Sequence, residues 1–284
     1  MPLRDNPTAR QVRLGAELRK LRERAGKTAR ETAGLLSTDQ AKMSHIESGR
    51  IGVSEERIRR LAVFYACDDG PLVDALCAIA RESRGQGWWD EYRGVLGPDF
   101  LDIAELEHHA AYLRSVQVVN VPGILQTEDY IRAIHGSYRP VLPVDVVDRR
   151  VEFRLRRQSL LEQAEPPSLR AIVHEAALRM RFGGREVAKG QLEHLLETSA
   201  RPSVTVRVIP FSCEDYIEAT NAPMYAGGVV PQLDTVHLDS PAGSYVVGAE
   251  AELNRYRQLL DVAEGASLSE AESRKLIQRI VREI

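Results

Sequence analysis

Residues 28–50 read TARETAGLLSTDQAKMSHIESGR, and this stretch decides the fold of the first part of the chain. Thr28 followed by Glu31 has the spacing of a capping box, so a short helix is predicted to begin there. The Ser37-Thr38-Asp39 cluster ends that helix and supplies the N-cap of another, which Gly49 terminates. The stretch therefore predicts two short helices joined by a tight turn.

Three further amphipathic helices flank this pair. Apolar residues recur at helical spacing in residues 11–25, in the segment after Ser54, and in the segment after Asp68-Asp69-Gly70-Pro71. Five short helices within about seventy-five residues predict an all-α domain spanning residues 1–80.

Charge is distributed unevenly along the 284 residues. The net charge is −3, yet residues 1–60 hold fourteen Lys and Arg against eight Asp and Glu. A basic first segment before an acidic remainder is typical of a protein that meets a polyanion at one end. A solvated helical pair produces the same balance, so charge alone leaves both interpretations open.

Other compositional features bear on location. No run of eighteen apolar residues occurs, and the polar first ten residues contain two prolines, so neither a membrane span nor a signal peptide is predicted. The only cysteines, Cys67, Cys77 and Cys213, are too scattered for a disulfide framework or a zinc site. We expect a reduced, cytoplasmic setting.

The helix after Asp39 has the pattern required to read DNA. Such a helix needs a brace on one side and donors near its N-terminus on the other. Met43 and Ile46 are spaced to face the core. The residues between them are expected to point outward and read bases, namely Gln40, Ala41, Ser44 and His45. Contacts to the DNA backbone are expected from Thr28, Arg30, Lys42 and Arg50.

The run Ile46-Glu47-Ser48-Gly49-Arg50 resembles the I-E-x-G-[RK] ending of lambda-repressor-like (Cro/CI, XRE-type) helix-turn-helix regulators. The resemblance implies a structural ion pair between Arg22 and Glu47. Two positions depart from the family pattern. Ala29 replaces a glutamine that contacts phosphate, which puts that contact in doubt, although the neighbouring Arg30 can substitute. Ser37 replaces a turn glycine and is predicted to adopt a left-handed conformation at a cost of about 1 kcal/mol.

The remainder of the chain mixes helix and strand patterns. Residues 81–98 are predicted to be a linker whose Trp88-Trp89 pair anchors on the second domain, although the pair also suits stacking on a base or ligand. Residues 99–284 are predicted to form an α+β sensory or interaction domain. Glu105 and Glu107 are interpreted as a solvated helix face. The arginine-rich helix at 144–163 is interpreted as a charged surface, with an acidic partner as the alternative.

Three runs of this second part resemble a large actinobacterial regulator family. They are residues 87–92 (GWWDEY), residues 121–130 (VPGILQTEDY) and residues 154–158 (RLRRQ). The resemblance implies a C-terminal domain of unknown function, and a small partner protein encoded nearby. Residues 121–130 suit either a pocket or a docking groove, and the sequence leaves that choice open.

Enzymatic motifs are incomplete. His174-Glu175 begins like the metalloprotease H-E-x-x-H helix, but Leu178 occupies the position of the second ligand. No nucleophile elbow, phosphate-binding loop or dinucleotide fingerprint follows a strand. We therefore expect no enzyme activity, no catalytic or metal-binding residues and no cofactor.

The expected architecture is an N-terminal all-α five-helix lambda-repressor-like domain followed by an α+β regulatory domain. The expected function is that of a dimeric, cytoplasmic, sequence-specific DNA-binding transcription regulator, because one short helix reads few base pairs. Its partners would be double-stranded DNA, a second copy, and an effector or small protein at the second domain. The alternative is an antitoxin-like adaptor that neutralises a small partner.

Overall fold

A computed structural model describes residues 3–82, 87–215, 222–240 and 243–284. The contacts between residues divide the chain into two units. We call residues 1–106 together with 228–234 the helical unit, and residues 107–227 together with 235–284 the sheet unit.

The helical unit contains the five predicted helices and the start of a sixth. The first five of these helices begin at side-chain caps: Thr8 accepts from the Gln11 N–H, Thr28 accepts from the Glu31 N–H, and Asp39, Ser54 and Asp69 cap the next three. A short 3₁₀ segment, Trp88–Tyr92, precedes the sixth helix. The helices are α1 (Ala9–Arg24), α2 (Ala29–Leu35), α3 (Gln40–Glu47), α4 (Glu55–Phe64), α5 (Gly70–Arg81) and α6 (Pro98–His109).

Apolar side chains from α1 to α5 converge on one core. Leu18, Met43, Ile58, Leu61 and Leu76 are each at most 1 % exposed. Burying such a side chain fully contributes about 1.5–3 kcal/mol each, so this core outweighs the weak intrinsic stability of helices this short. The helical packing thus fixes α3 against α1 and α2.

The boundary between the units differs from the sequence interpretation. The predicted linker spans residues 81–98, of which 83–86 lie outside the described residues, and the second domain is expected from residue 99. In the structure, Trp88 and Trp89 belong to the helical unit, where Trp89 is buried and the two rings stack edge to face. The aromatic pair is therefore a packing element of the helical unit.

A distant segment completes the helical unit. Residues 228–234 directly follow a strand of the sheet unit, Pro223–Gly227, yet they belong to the helical unit. Val230 is buried in the helical core, and Leu233 packs against it. Arg13 donates to the Gln232 carbonyl, and the Gln232 side chain donates to Asp69 Oδ2 at 2.9 Å. Both apolar burial and hydrogen bonds therefore attach this segment.

The sheet unit is built on a six-stranded mixed sheet with the order β3-β2-β1-β4-β5-β6. Strands β1, β2 and β3 are parallel, whereas β4, β5 and β6 continue the sheet in antiparallel pairs. This mixture, with helices between strands, confirms the predicted α+β class. The strands are β1 (Tyr112–Gln117), β2 (Ser168–His174), β3 (Val204–Ile209), β4 (Pro223–Gly227), β5 (Thr235–Ser240) and β6 (Gly243–Val247).

Helices cover this sheet where the strands carry apolar side chains. Helix α11 contacts β1, β3 and β5, and its Leu253, Leu260 and Ala263 share a buried cluster with Val116 and Val236. Helix α12 contacts β3 and α10. The helices of this unit are α7 (Glu128–Gly136), α8 (Val144–Gln158), α9 (Glu175–Arg179), α10 (Arg185–Thr198), α11 (Glu250–Ala266) and α12 (Glu270–Glu283).

The interpretation of Glu105 and Glu107 as a solvated face is wrong. Their exposed fractions are 8 % and 3 %. Burial raises the pKa of Glu105 to about 7, and it raises the pKa of nearby Asp102, which accepts from the Ala9 N–H at 3.0 Å, to about 6. Glu107 instead forms a two-bond ion pair with Arg157, at 2.5 and 2.8 Å. Charge alone suggested exposure, but a specific partner permits the burial of Glu107.

Two properties of the described residues bear on function. None of the helices in these ranges is both long and apolar enough to cross a membrane. Within the same ranges, no group of three or more His, Cys, Asp or Glu side chains is placed to hold a metal ion.

Candidate nucleic-acid interface

The turn between α2 and α3 sets the angle at which α3 is presented. Ser37 has φ +51°, so the predicted left-handed conformation at this position is confirmed. A non-glycine residue pays about 1–2 kcal/mol for that conformation. The turn closes with a hydrogen bond from the Thr38 N–H to the Ala33 carbonyl, at 2.9 Å. The helix-turn-helix geometry is thus kept with serine where the resemblance implies glycine.

Helix α3 has one buried and one exposed face. Met43 is 0 % exposed and Ile46 is 2 % exposed. Gln40, Ala41 and Ser44 are exposed, and His45 is half-buried. Because Asp39 accepts from the Lys42 N–H at 2.7 Å, the first turn of the helix is held in place. The four predicted base-reading side chains therefore share the helix surface that the core leaves uncovered.

Arg22 of α1 and Glu47 of α3 lie together and form two hydrogen bonds, at 2.6 and 3.0 Å. Both side chains are close to 10 % exposed. Hydrogen bonding to Glu47 holds the pKa of Arg22 above its usual value. Arg22 also donates to the Lys27 carbonyl at 2.8 Å, so one guanidinium ties α1 to the end of α3 and to the loop before α2.

Two glycines allow α1 and α3 to approach closely. A Cβ at Gly15 would lie 2.5 Å from the Glu47 carbonyl oxygen and 2.6 Å from that of Ile46. Gly49 has φ +75°, and a Cβ there would lie 2.8 Å from backbone atoms of Gln11. Only glycine fits at either point, because backbone atoms cannot rotate aside. Gly49 is predictable as a helix terminator, whereas Gly15 is not predictable, because its only signal is a small residue beside an apolar stripe.

The predicted backbone-contact residues surround this helix end. Thr28, Arg30 and Arg50 are exposed, and Lys42 is half-buried. The Thr28 hydroxyl is already engaged, because it donates to Glu31 Oε2 at 2.7 Å and caps α2. No pattern in the sequence predicts that Arg4 also contacts this helix end. The Arg4 N–H donates to the Arg50 carbonyl at 2.9 Å, and its guanidinium donates to the Gly49 carbonyl at 3.0 Å.

The incomplete protease motif has a structural role in the sheet unit. The Nδ1 atom of His174 accepts from the Ala176 N–H at 3.2 Å and caps α9. Glu175 accepts from the Phe211 N–H at 2.9 Å and from Arg179 at 2.7 Å. These contacts join β2, α9 and the loop after β3.

Comparison with known proteins assigns a family to each part of the chain. Residues 13–76 match the model of a helix-turn-helix domain, and residues 100–279 match the model of a domain of unknown function (DUF5753). No curated protein and no solved structure matches the chain. The first match runs from within α1 to within α5, includes all of α3, and indicates a DNA-binding regulator. The second match covers well over half of the chain, and the protein therefore belongs to the DUF5753 family, with a helix-turn-helix domain at its N-terminal end.

Proposed function

We propose that the protein is a sequence-specific DNA-binding transcription regulator that reads bases with α3. One observation carries this proposal. Gln40, Ala41, Ser44 and His45 occupy the uncovered surface of α3, while Met43 and Ile46 hold its other side in the core. A helix of this kind enters the major groove with its N-terminal residues toward the base edges.

The proposed readers differ in what they recognise. Gln40 has the donor and acceptor needed for a two-bond contact with adenine. Ala41 suits the methyl group of thymine, and Ser44 and His45 suit several base edges or a phosphate. Arg30, Lys42 and Arg50 would contact the DNA backbone, where they position the helix without reading sequence. Thr28, the N-cap of α2, would also contact the DNA backbone.

Substitutions separate the reading residues from the positioning residues. In Gln40→Ala and Ser44→Ala we expect discrimination between preferred and mismatched duplexes to fall by about 1–3 kcal/mol per lost contact. In Arg50→Ala we expect weaker binding to all duplexes alike. The measurement is fluorescence anisotropy on duplexes selected from a random library. Arg149→Gln removes an exposed arginine from α8 and serves as the control for charge.

The salt dependence of binding completes this test. Contact with several phosphates predicts a loss of affinity of 10-fold or more between about 50 and 200 mM salt, and Arg50→Ala should reduce the slope by about one charge. If no duplex binds in a salt-dependent way, the DNA-reading proposal is wrong. The antitoxin-like adaptor would then be favoured.

We also propose that the regulator acts as a cytoplasmic homodimer without catalytic activity. Its sheet unit would bind an effector or a small partner protein. Two α3 helices about 34 Å apart would face successive major grooves, which matches a pair of half-sites. Light scattering at micromolar concentration should give a mass near twice 31.7 kDa. A monomer mass both alone and on a two-half-site duplex would contradict the dimer.

A further inference from the structure

Residues 121–130 and residues 154–158 contact each other inside the sheet unit. Residues 121–130 contain Gln126, which is 3 % exposed, and residues 154–158 end helix α8. Gln126 Nε2 donates to the Val121 carbonyl at 2.6 Å, and the Gln126 carbonyl accepts from Gln158 Nε2 at 2.5 Å. Gln126 Oε1 accepts from Arg154 Nη1 at 2.8 Å. Gln126 therefore fixes the position of the Arg154 guanidinium.

Arg154 and Arg157 bring two guanidinium groups to one point. A Cβ at Gly123 would lie 3.6 Å from Arg157 Nη1 and 3.8 Å from Arg154 Nε, so both groups border the same small volume. The two arginines differ in whether a carboxylate neutralises their charge. Arg157 holds the carboxylate of Glu107 in a buried two-bond pair, whereas the hydrogen bond of Arg154 goes to a neutral amide.

The surroundings of Arg154 leave its charge poorly compensated. Burial, and next the charge of Arg157, lower the pKa of Arg154 to about 10. Glu107 is committed to Arg157, and Asp239, the other carboxylate whose charge reaches Arg154, is 75 % exposed. Arg154 is nevertheless half-buried rather than fully buried. We call the space beside Gly123 that the two guanidinium groups border the arginine recess.

A buried imidazole without a hydrogen-bond partner lies within electrostatic range of Arg154 and Arg150. His135 of α7 is 2 % exposed, and neither of its ring nitrogens has a hydrogen-bond partner among the described residues. Burial, followed by the charges of Arg154 and Arg150, lowers the pKa of His135 to about 4. The imidazole is therefore neutral at pH 7 and carries one N–H donor. Buried polar groups are normally satisfied, so this donor suits a ligand.

We propose that the arginine recess, bordered by Gly123, Gln126, Arg154 and Arg157, binds the carboxylate or phosphate group of a small-molecule effector. Arg154 supplies the charge and a planar pair of N–H donors, the geometry that both kinds of anion accept. The proposal rests on the effector role proposed above and names the chemical class of that effector. Anion binding is measurable without DNA, so the two proposals fail independently.

The first test compares anions on the full-length protein. Acetate and inorganic phosphate are each compared with chloride at matched ionic strength, and the thermal unfolding midpoint is measured. At about ten times Kd the folding equilibrium shifts about tenfold, which raises the midpoint by about 3–5 °C. We expect this rise in the wild type and in Arg149→Gln, and its loss in Arg154→Gln. The anion with the larger effect identifies the headgroup.

A second pair of variants keeps the test decisive if Arg154→Gln does not fold. Gly123 does not have a positive φ, and a Cβ there makes only ordinary contacts, so alanine fits, and an aspartate carboxylate would extend from a Cβ that lies 3.6–3.8 Å from guanidinium nitrogens. Gly123→Asp would place a carboxylate between the two guanidinium groups. We expect it to raise the midpoint without added anion and to abolish the response, whereas Gly123→Ala keeps the response.

Two outcomes would overturn the anion site. One is an equal midpoint rise in the wild type and in either Arg154→Gln or Gly123→Asp, which would assign the effect to general salt stabilisation. The other is no rise with either anion up to about 100 mM in wild-type protein, a concentration at which even a millimolar site is saturated. DNA affinity in the absence of anion should be unchanged in Arg154→Gln and in Gly123→Ala, because these substitutions lie outside the helical unit.

Discussion

Gly15→Ala is expected to destabilise the helical unit by about 2–3 kcal/mol and to weaken DNA binding. The added methyl group would meet two carbonyl oxygens of α3, those of Glu47 and Ile46, at 2.5 and 2.6 Å. Overpacking of this kind costs about 1–3 kcal/mol of stability. We expect the upper half of that range for Gly15→Ala because backbone atoms must move to relieve the clash. Relief of the clash would displace α3 from α1, and so displace the proposed reading residues.

Gly34→Ala is the matched control. Gly34 lies in α2 and is exposed, and no atom beyond its own helix lies within 4 Å of the position that a Cβ would take. Alanine there should stabilise the helix by about 1 kcal/mol. Urea denaturation gives both free energies of unfolding, and anisotropy gives both DNA affinities. If Gly15→Ala matched Gly34→Ala in both measurements, the close approach of α1 and α3 would be refuted.

Glu107→Gln is expected to lower the free energy of unfolding of the sheet unit by about 3–5 kcal/mol. Arg157 is 7 % exposed, and its guanidinium makes both short hydrogen bonds to the Glu107 carboxylate. Removal of the negative charge leaves a buried cation without compensation, and breaking one side of a buried pair costs this much. Because glutamine has nearly the same shape as glutamate, the lost stability measures the contribution of the Glu107 charge.

Glu152→Gln on α8 provides the comparison. Its pair with Arg149 is more than half exposed on both sides, and such pairs contribute about 0–1 kcal/mol. Urea denaturation monitored by circular dichroism, at the same pH for both variants, measures the difference. A loss below about 1 kcal/mol in Glu107→Gln would show that the buried pair does not stabilise the sheet unit.

Local signals in the sequence are sufficient to predict the first five helices of the helical unit. The capping box at Thr28, the N-caps at Asp39 and Ser54, and Gly49 with its positive φ all act within one turn of chain. The strand at Val204–Ile209 is equally clear, because β-branched residues bounded by prolines leave few alternatives. Where an element depends on residues close together in the chain, the local sequence pattern is enough to predict it.

Long-range partners are beyond the reach of such signals. Burial of Glu107 depends on Arg157, fifty residues later, and each side chain alone suggests exposure. The sheet order, with β4 beside β1, likewise depends on pairing between distant strands. Exposure of the proposed readers on α3 is predictable because helical periodicity decides it. The position of the arginine recess is not predictable in this way, because the recess combines α8 with residues 121–130.

During protein synthesis, the contact of Val230 with the core of the helical unit can form only after most of the sheet unit has been translated. The helical unit needs Val230 for its core, yet about 120 residues separate position 106 from position 228. At about 5–20 residues per second, the ribosome takes about 6–24 s to cover that distance. Throughout this interval the nascent helices expose the apolar surface that Val230 and Leu233 later cover. A chain whose translation stops before residue 228 therefore emerges with an unfinished DNA-binding unit.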